Sequence, residues 1–310
     1  MQDDGSSGRD EVVSTGYDYE VQRSLAAAKD LRAAIEITVF NYFHDQLGWS
    51  GRSCRERVLI EEKRTIPKAV LDELALAGWD CEGKRVLDVG AGQGGMLLEL
   101  LDRGADAYGI EPGKEFAALC RRRLQEAGHD PLRISEEPAE SLPFSNDSFD
   151  YVISLQVLEH LPDPAPVFLE IFRVLTAGGE CHLVCDNYLS FSEPHYRVRW
   201  LPLLPKTLGS VYLRIIGRDP KFLKKYIYYT TYPQIWRICS QVGFTNVTYK
   251  DLWQKFDQPS SIRTAYIRTA AHLLHVLPQR FSKRLVHGYA HLNHFWRPGV
   301  RVTLQKPLTE

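Results

Sequence analysis

The ten residues Val86-Leu87-Asp88-Val89-Gly90-Ala91-Gly92-Gln93-Gly94-Gly95 set an apolar run, a carboxylate and four glycines in succession. Such a run turns a buried strand into a loop that a ligand can approach without a Cβ in the way, with a helix opening directly behind it. Gly90, Gly92 and Gly95 also satisfy the G-x-G-x-x-G spacing, in which a pyrophosphate rests on a helix N-terminus, so the glycines alone fit a dinucleotide as well. Glu111, 21 residues after Gly90, closes the next apolar run (AYGIE). It suits either reading, because a carboxylate there accepts hydrogen bonds from the ribose hydroxyls of any adenosine cofactor. Asp88 separates the two: a carboxylate just ahead of the glycines repels a pyrophosphate but attracts the cationic methionine portion of S-adenosylmethionine. The competing role for Asp88 is to cap loop amides, a common use of aspartate in turns.

If such a cofactor donates a methyl group, the transfer is an in-line displacement that needs alignment and exclusion of water more than a covalent nucleophile. A hydroxyl acceptor adds the need for a general base, and imidazole is the natural one near neutral pH. His160 (LEHLPDP) follows the fourth apolar strand-like run and His195 (SEPHYRVRW) lies beyond the fifth, where sheets of this kind place their ligands. His195 is the favoured base, with Glu193 and Tyr196 to orient or assist it, and His160 is the alternative, a base or a brace for its own loop. The six cysteines form no CxxC pair and no cluster at metal-ligand spacing, so neither a disulfide framework nor a structural metal is expected.

The elements that must position these groups are legible in the periodicity. Between residues 84 and 180 short apolar runs (85–89, 107–111, 132–136, 149–155) alternate with amphipathic stretches (95–102, 115–127, 164–175), the rhythm of parallel βαβ units. Ala177-Gly178-Gly179 supplies a turn before a fifth strand at 180–185. Leu25, Leu31, Ile35, Val39 and Phe43, then Ile66, Val70 and Leu74, recur at helical spacing, predicting a helical N-terminal extension over 17–80 behind a disordered tail at 1–16. Insertions are expected at about 187–242 and 252–297, around a sixth strand at 246–249 and ahead of a seventh at 299–305. The expected fold class is α/β: a Rossmann-like, seven-stranded, mostly parallel sheet with helices on both faces, the domain running over 81–310.

Net charge is −1, yet residues 1–194 hold 19 basic and 35 acidic residues while residues 195–310 hold 19 basic and 4 acidic. That separation creates a positive field able to attract phosphates, nucleic acid or acidic lipid, unless the basic segments simply neutralise the acidic half. The acidic, polar N-terminus and the lack of an eighteen-residue apolar run indicate neither signal peptide nor membrane span. A cytoplasmic protein is expected, with contact to the inner membrane face left open.

Three segments together resemble the class I, seven-stranded S-adenosylmethionine-dependent methyltransferases, especially the branch of ubiquinone and menaquinone methylases: VLDVGAGQGG, PAESLPFSNDSFDYVISLQVLEHLPDP and RVLTAGGECHLV. They cover about a third of the chain. The resemblance implies S-adenosylmethionine as cofactor, with Asp88, Gly90, Ala91, Gly92 and Gly94 along its methionine and ribose portion, Glu111 on the ribose hydroxyls and Pro112 beside the adenine. Leu155 and Gln156 are implied at the amino-acid end. Relatives often carry Asp-Ala ahead of the glutamate where this chain has Pro138-Ala139-Glu140, so the adenine amino group falls to Glu137 or a backbone carbonyl near Ala139. Tyr17 and Tyr19 are candidate lid residues. EPHYRVRWLPLLPK is similar to insertions in bacterial methyltransferases of cell-surface polysaccharide pathways. Basic and aromatic residues interleave through this half (Tyr196, Arg197, Arg199, Trp200, Lys221 to Tyr226, Tyr228, Tyr229), suiting a sugar or small-molecule acceptor carried on a lipid phosphate at an anionic membrane face. The open alternatives are an RNA methyltransferase, a cofactor-binding scaffold without catalysis, and a nicotinamide-dependent oxidoreductase.

Overall fold

The computed structural model describes residues 16–248, 274 and 276–308. The tail expected at 1–16 lies outside them except for Gly16, as does much of the second insertion. Strand β1 (Arg85–Val89) is buried along all but its first residue, and helix α5 (Gly95–Asp102) behind it is apolar on nearly every face, as a strand and helix walled in by neighbours must be. Around them β2 (Asp106–Ile110), β3 (Ile134–Ser135), β4 (Phe149–Leu155), β5 (Leu175–Asp186), β8 (Thr245–Asn246) and β9 (Gly299–Gln305) complete one seven-stranded sheet of order β3-β2-β1-β4-β5-β9-β8. Strands β1 to β5 pair in parallel and β9 runs antiparallel between β5 and β8, giving the mostly parallel sheet expected.

Helices cover both faces. On one, α4 (Thr65–Leu76) and α6 (Lys114–Glu126) join α5, burying Val70, Leu71, Leu74, Leu97, Leu100 and Leu124 against Val86 and Ala107. On the other, α7 (Ala165–Val174) and α10 (Tyr232–Val242) pack Phe168, Ile171, Ile235 and Cys239 on Phe149, Val152 and Val302. The Gly-Gly segment expected as a turn is instead a bulge inside β5, where the register moves from Phe149↔Leu175 to Tyr151↔Glu180 and Gly178 takes φ 81°. The flanking residues keep their ladder bonds, so the strand continues through it.

The remaining helices build a cap over the carboxyl ends of the strands. Helix α1 (Gly16–Ala27), α2 (Leu31–Val39, capped by Asp30), a π-helical turn at Phe40–Gln46 and α3 (Gly51–Glu62) come from the N-terminal extension. A short hairpin of β6 (Ser192–Glu193) and β7 (Val198–Arg199), then α8 (Lys206–Ile215) and α9 (Lys221–Tyr226), come from the insertion after β5. The two segments share a third core: Ile35, Val39, Leu47 and Trp49 meet Tyr188, Tyr196, Trp200, Leu213 and Phe222. The Trp49 indole donates to the His195 carbonyl (2.6 Å), and the Arg197 guanidinium lies 3.5 Å over the Trp49 ring. Helix α11 (Gln279–Trp296) precedes β9. Among the described residues no helix is long and apolar enough to cross a membrane.

Candidate active site

The glycine loop leaves β1 with Gly90, Gly92 and Gly94 all at positive φ (76°, 53° and 77°), a region that favours glycine. Their surroundings differ. A Cβ on Gly90 would strike Val157 and one on Gly94 would strike Cys120, so these two glycines are required by the protein's own packing. A Cβ on Gly92 would meet nothing within 4 Å, so that glycine borders open space on the ligand side. Ala91 is buried and accepts through its carbonyl from Gly94, which closes the loop. The loop is braced from behind by Arg123, which donates to the carbonyls of Gln93 (3.1 Å) and of Glu61 in α3 (2.9 Å).

Asp88 is 2 % exposed and its Oδ2 has no hydrogen-bond partner. Burial first, then the neighbouring Glu111 charge, raises its carboxyl to about 7. A carboxylate so placed has a strong demand for a cation or donor, which fits the charged methionine end of S-adenosylmethionine and opposes a pyrophosphate. Glu111 accepts from the Gly92 amide through Oε2 (2.9 Å) and from the Gly113 amide through Oε1 (2.8 Å), and burial raises its carboxyl too. Its remaining lone pairs are available to ribose hydroxyls beside Gly92. Pro112 follows on the exposed side of the loop. Glu137 is exposed and Ala139 is buried in the core, while the neighbouring Glu136 is ion-paired with Arg121. Leu155 ends β4, and Gln156 beyond it adopts φ 58° and donates from Nε2 to Asp186 (2.8 Å). Tyr17 and Tyr19 belong to α1, and their side chains lie outside the described residues.

A second cluster stands at the ends of β4 and β5. His195 Nδ1 lies 3.1 Å from Glu193 Oε1 and 3.2 Å from Asp186 Oδ2. Glu193 is held in turn by the Tyr188 hydroxyl (3.2 Å) and the Tyr196 amide (2.6 Å). Glu193 thus orients His195 as the spacing suggests, but Tyr196 contributes only its backbone. The buried Tyr196 hydroxyl donates to the Asp219 carbonyl (2.7 Å) and accepts from the Leu223 amide, which holds it away from the imidazole. Burial disfavours charge on His195, yet the bond to Glu193 and the charge of Asp186 outweigh it and raise its pKa to about 9, so near neutrality it holds both ring protons. His160 is the opposite case: burial, then the neighbouring His195 charge, lowers it to about 4. With His160 Nδ1 donating to the Tyr226 carbonyl (2.8 Å), the neutral ring keeps a lone pair on Nε2. The carboxylates that orient His195 therefore also favour its protonated form.

Three residues of this cluster have no place in the sequence reading. Glu159 is fully buried, and burial with the Asp186 charge raises its carboxyl. Asp186 is the last residue of β5, a position whose proximity to ligands the carboxyl-end rule would have signalled. Tyr42 arrives from the π-helical turn; burial and the charges of Glu159 and Asp186, with a smaller effect of Glu111, push its hydroxyl far above the usual range. Its ring packs edge-on against Phe116 of α6 (5.8 Å) and Phe222 of α9 (5.5 Å). Phe222 closes the chamber, its ring 5.5 Å from Tyr42, 5.6 Å from His195 and 6.1 Å from His160.

Strand order, a glycine loop after β1 and an acid after β2 define the class I fold of S-adenosylmethionine-dependent methyltransferases. Comparison with known proteins agrees, and residues 87–183 are a methyltransferase domain by their match to that family. The ubiquinone biosynthesis O-methyltransferase of Psychrobacter arcticus is 37 % identical over 131 residues, covering 41 % of this chain and 51 % of the relative. That of Pseudomonas entomophila is 40 % identical over 158 residues, 45 % of this chain and 66 % of its own. Phosphoethanolamine N-methyltransferase 2 of Caenorhabditis elegans is 24 % identical over 214 residues, covering 67 % of this chain and 43 % of the relative. The chain thus spans about half the length of the curated relatives it matches. Among solved structures, a putative sarcosine dimethylglycine methyltransferase from Galdieria sulphuraria superposes with TM-score 0.50 at 14 % identity over 94 % of this chain and 99 % of the other, a likeness of fold.

Proposed function

We propose that this chain transfers a methyl group from S-adenosylmethionine to a hydroxyl of a small, oxygen-rich acceptor, a sugar or a lipid-linked metabolite, bound beneath the cap. The observation that carries the reading is the buried Asp88 carboxylate, whose Oδ2 has no partner, at the head of a loop where Gly92 borders open space. When bound, the cofactor supplies an electrophilic methyl group on a sulfonium. Asp88 holds the cationic end, Glu111 the ribose, and the cap of α1 to α3 with the insertion from β6 to α9 excludes water from the transfer. O-methylation is favoured over N-methylation by the chamber's neutral His160, whose Nε2 can take the acceptor's proton while Glu193 and Asp186 keep His195 as a cationic donor. The relatives named as O-methyltransferases support the same choice.

The acceptor's carrier is read from the surface of the cap. Leu208, Val211 and Ile215 lie exposed along α8, as do Phe281, Leu285 and Leu292 along α11, with Arg214, Lys221, Lys224, Arg280 and Arg284 among them. Apolar stripes rimmed by cations suit an anionic lipid surface. Calorimetry with S-adenosylmethionine on the full chain tests the cofactor, and a labelled-methyl assay over hydroxylated and lipid-linked sugars tests the acceptor. Binding without any labelled product across such acceptors would leave a scaffold instead of an enzyme. No flotation with anionic vesicles at low salt would remove the lipid carrier.

A further inference from the structure

Glu159, His160 and His195 each bring one donor atom to a common point, all within 4.8 Å of one another, at the carboxyl ends of β4 and β5. We propose that this cluster is a binding site for one divalent transition-metal ion, ligated by the Glu159 carboxylate and by Nε2 of both imidazoles. The proposal deepens the reading above and rests on it, since it places the ion in the chamber assigned to the acceptor.

The strongest argument is Glu159. It is 0 % exposed and its carboxylate has no side-chain partner, only the backbone amides of Glu159 and Asp186 acting on it, a costly state for a buried acid unless something positive occupies the space it faces. Its own backbone is pinned, the Tyr228 amide donating to its carbonyl (2.7 Å), so the side chain is held where it is by the cap.

The imidazoles are prepared in the manner of metal ligands. Each has its Nδ1 committed, His160 to the Tyr226 carbonyl and His195 to Glu193, which fixes ring orientation and leaves Nε2 to ligate, the ion displacing to solvent the proton that His195 Nε2 carries in its absence. A carboxylate behind a ligating histidine is the usual supporting arrangement, and it raises the basicity of the ligand. Glu193 is itself fixed by Tyr188 and Tyr196, and Asp186 by Gln156, so the support extends a further layer. Two imidazoles with one carboxylate suit zinc, cobalt, manganese or ferrous iron more than the all-oxygen preference of magnesium or calcium. Three protein donors leave at least one coordination position open, and an acceptor hydroxyl entering it becomes a stronger acid. The ion then takes over the activation assigned to His160 in the metal-free chain, the hydroxyl proton passing to solvent.

The test is Co²⁺ titration of the untagged, metal-stripped full chain, read by visible absorption, with Zn²⁺ competition and equilibrium dialysis for stoichiometry. One ion per chain is expected, with bands of low-symmetry nitrogen and oxygen ligation. Glu159→Gln and His195→Gln should abolish that absorption, and Glu193→Gln should weaken affinity by about 10- to 100-fold through the orientation of His195. His129→Gln, beside Asp102 at the C-terminal end of α5, should change nothing. S-adenosylmethionine binding is measured on every variant. Retained cofactor binding with cobalt absorption absent from the native chain, or equally present in all three site variants, overturns the metal site alone. Loss of cofactor binding by the native chain overturns the methyltransferase reading instead. A variant that loses both is replaced by its partner, Glu159→Asp or His195→Asn, before it counts.

Discussion

Replacing Asp88 by Asn separates the cost of a buried charge from its use. The Asp88 carboxyl moves from an ordinary 3.8 to about 7, chiefly by burial, and a displacement of that size corresponds to roughly 4 kcal/mol against the ionised form. Because the folded state binds this proton more tightly than the unfolded chain, the contribution to stability is fully present below about pH 4 and is lost as pH rises through 7. Asp88→Asn removes that loss. The variant's melting temperature should equal the native chain's near pH 4 and exceed it increasingly up to pH 8, by an amount bounded by roughly 4 kcal/mol and reduced by the buried amide's own need for partners. Cofactor binding should show the converse. Only the ionised carboxylate attracts the cationic end, so native affinity for S-adenosylmethionine should climb about tenfold per pH unit below 7 and level above it. The variant's affinity should be flat with pH and, at pH 8, about 30-fold or more weaker, as expected when one partner of a buried charge pair is removed. Its loss should be smaller for S-adenosylhomocysteine, which lacks the sulfonium charge. Scanning fluorimetry and calorimetry at constant ionic strength from pH 5 to 9 measure both. Equal affinity and a parallel pH profile in the variant would refute the electrostatic role and leave Asp88 as a cap for loop amides.

The other glycine and histidine substitutions sort by what each side chain would meet. Gly92→Ala should cost about 1–2 kcal/mol of stability from its positive φ, yet weaken the cofactor at least tenfold, because the new methyl points at open space on the ligand side. Gly94→Ala, facing Cys120, should lower the melting temperature more than Gly92→Ala, with folded yield as the readout. In metal-free protein, His160→Gln should reduce methyl transfer by about 10²–10⁴ with cofactor affinity unchanged, whereas unaltered turnover would exclude it as the base. Arg123→Met leaves the Gln93 carbonyl without this donor and unties the loop from α3, and should destabilise the chain by about 1–3 kcal/mol, measured by urea unfolding.

Much of the sheet was legible because its signals are local. The strands at 85–89, 149–155 and 299–305 and the helix at 95–102 coincide with the expected runs, since the buried parallel strands β1 and β4 are mostly apolar and antiparallel β9 alternates apolar with polar residues. The bulge in β5 was not legible: two glycines look the same in a turn and in a strand that must absorb a register shift, and only pairing with β4 distinguishes them.

The site divides along the same line. Sequence alone marked out the candidate cofactor half, because Asp88, the glycines and Glu111 sit on consecutive elements whose relative placement follows from one βαβ unit. It also identified His160, His195 and Glu193 as candidates. Their roles were decided only by tertiary structure. The protonation of His195 depends on Asp186 and Glu193 together, the neutrality of His160 on being buried beside it, and the isolation of Glu159 on a cap assembled from residues on either side of the domain. Tyr42 reaches the chamber from more than a hundred residues away in the chain, carried by a hydrophobic core that the N-terminal helices share with the insertion after β5. Spacing encodes contacts along one element or between neighbours. The burial and charge that set a pKa come from everything packed around a group, and that exists only once the chain has closed on itself.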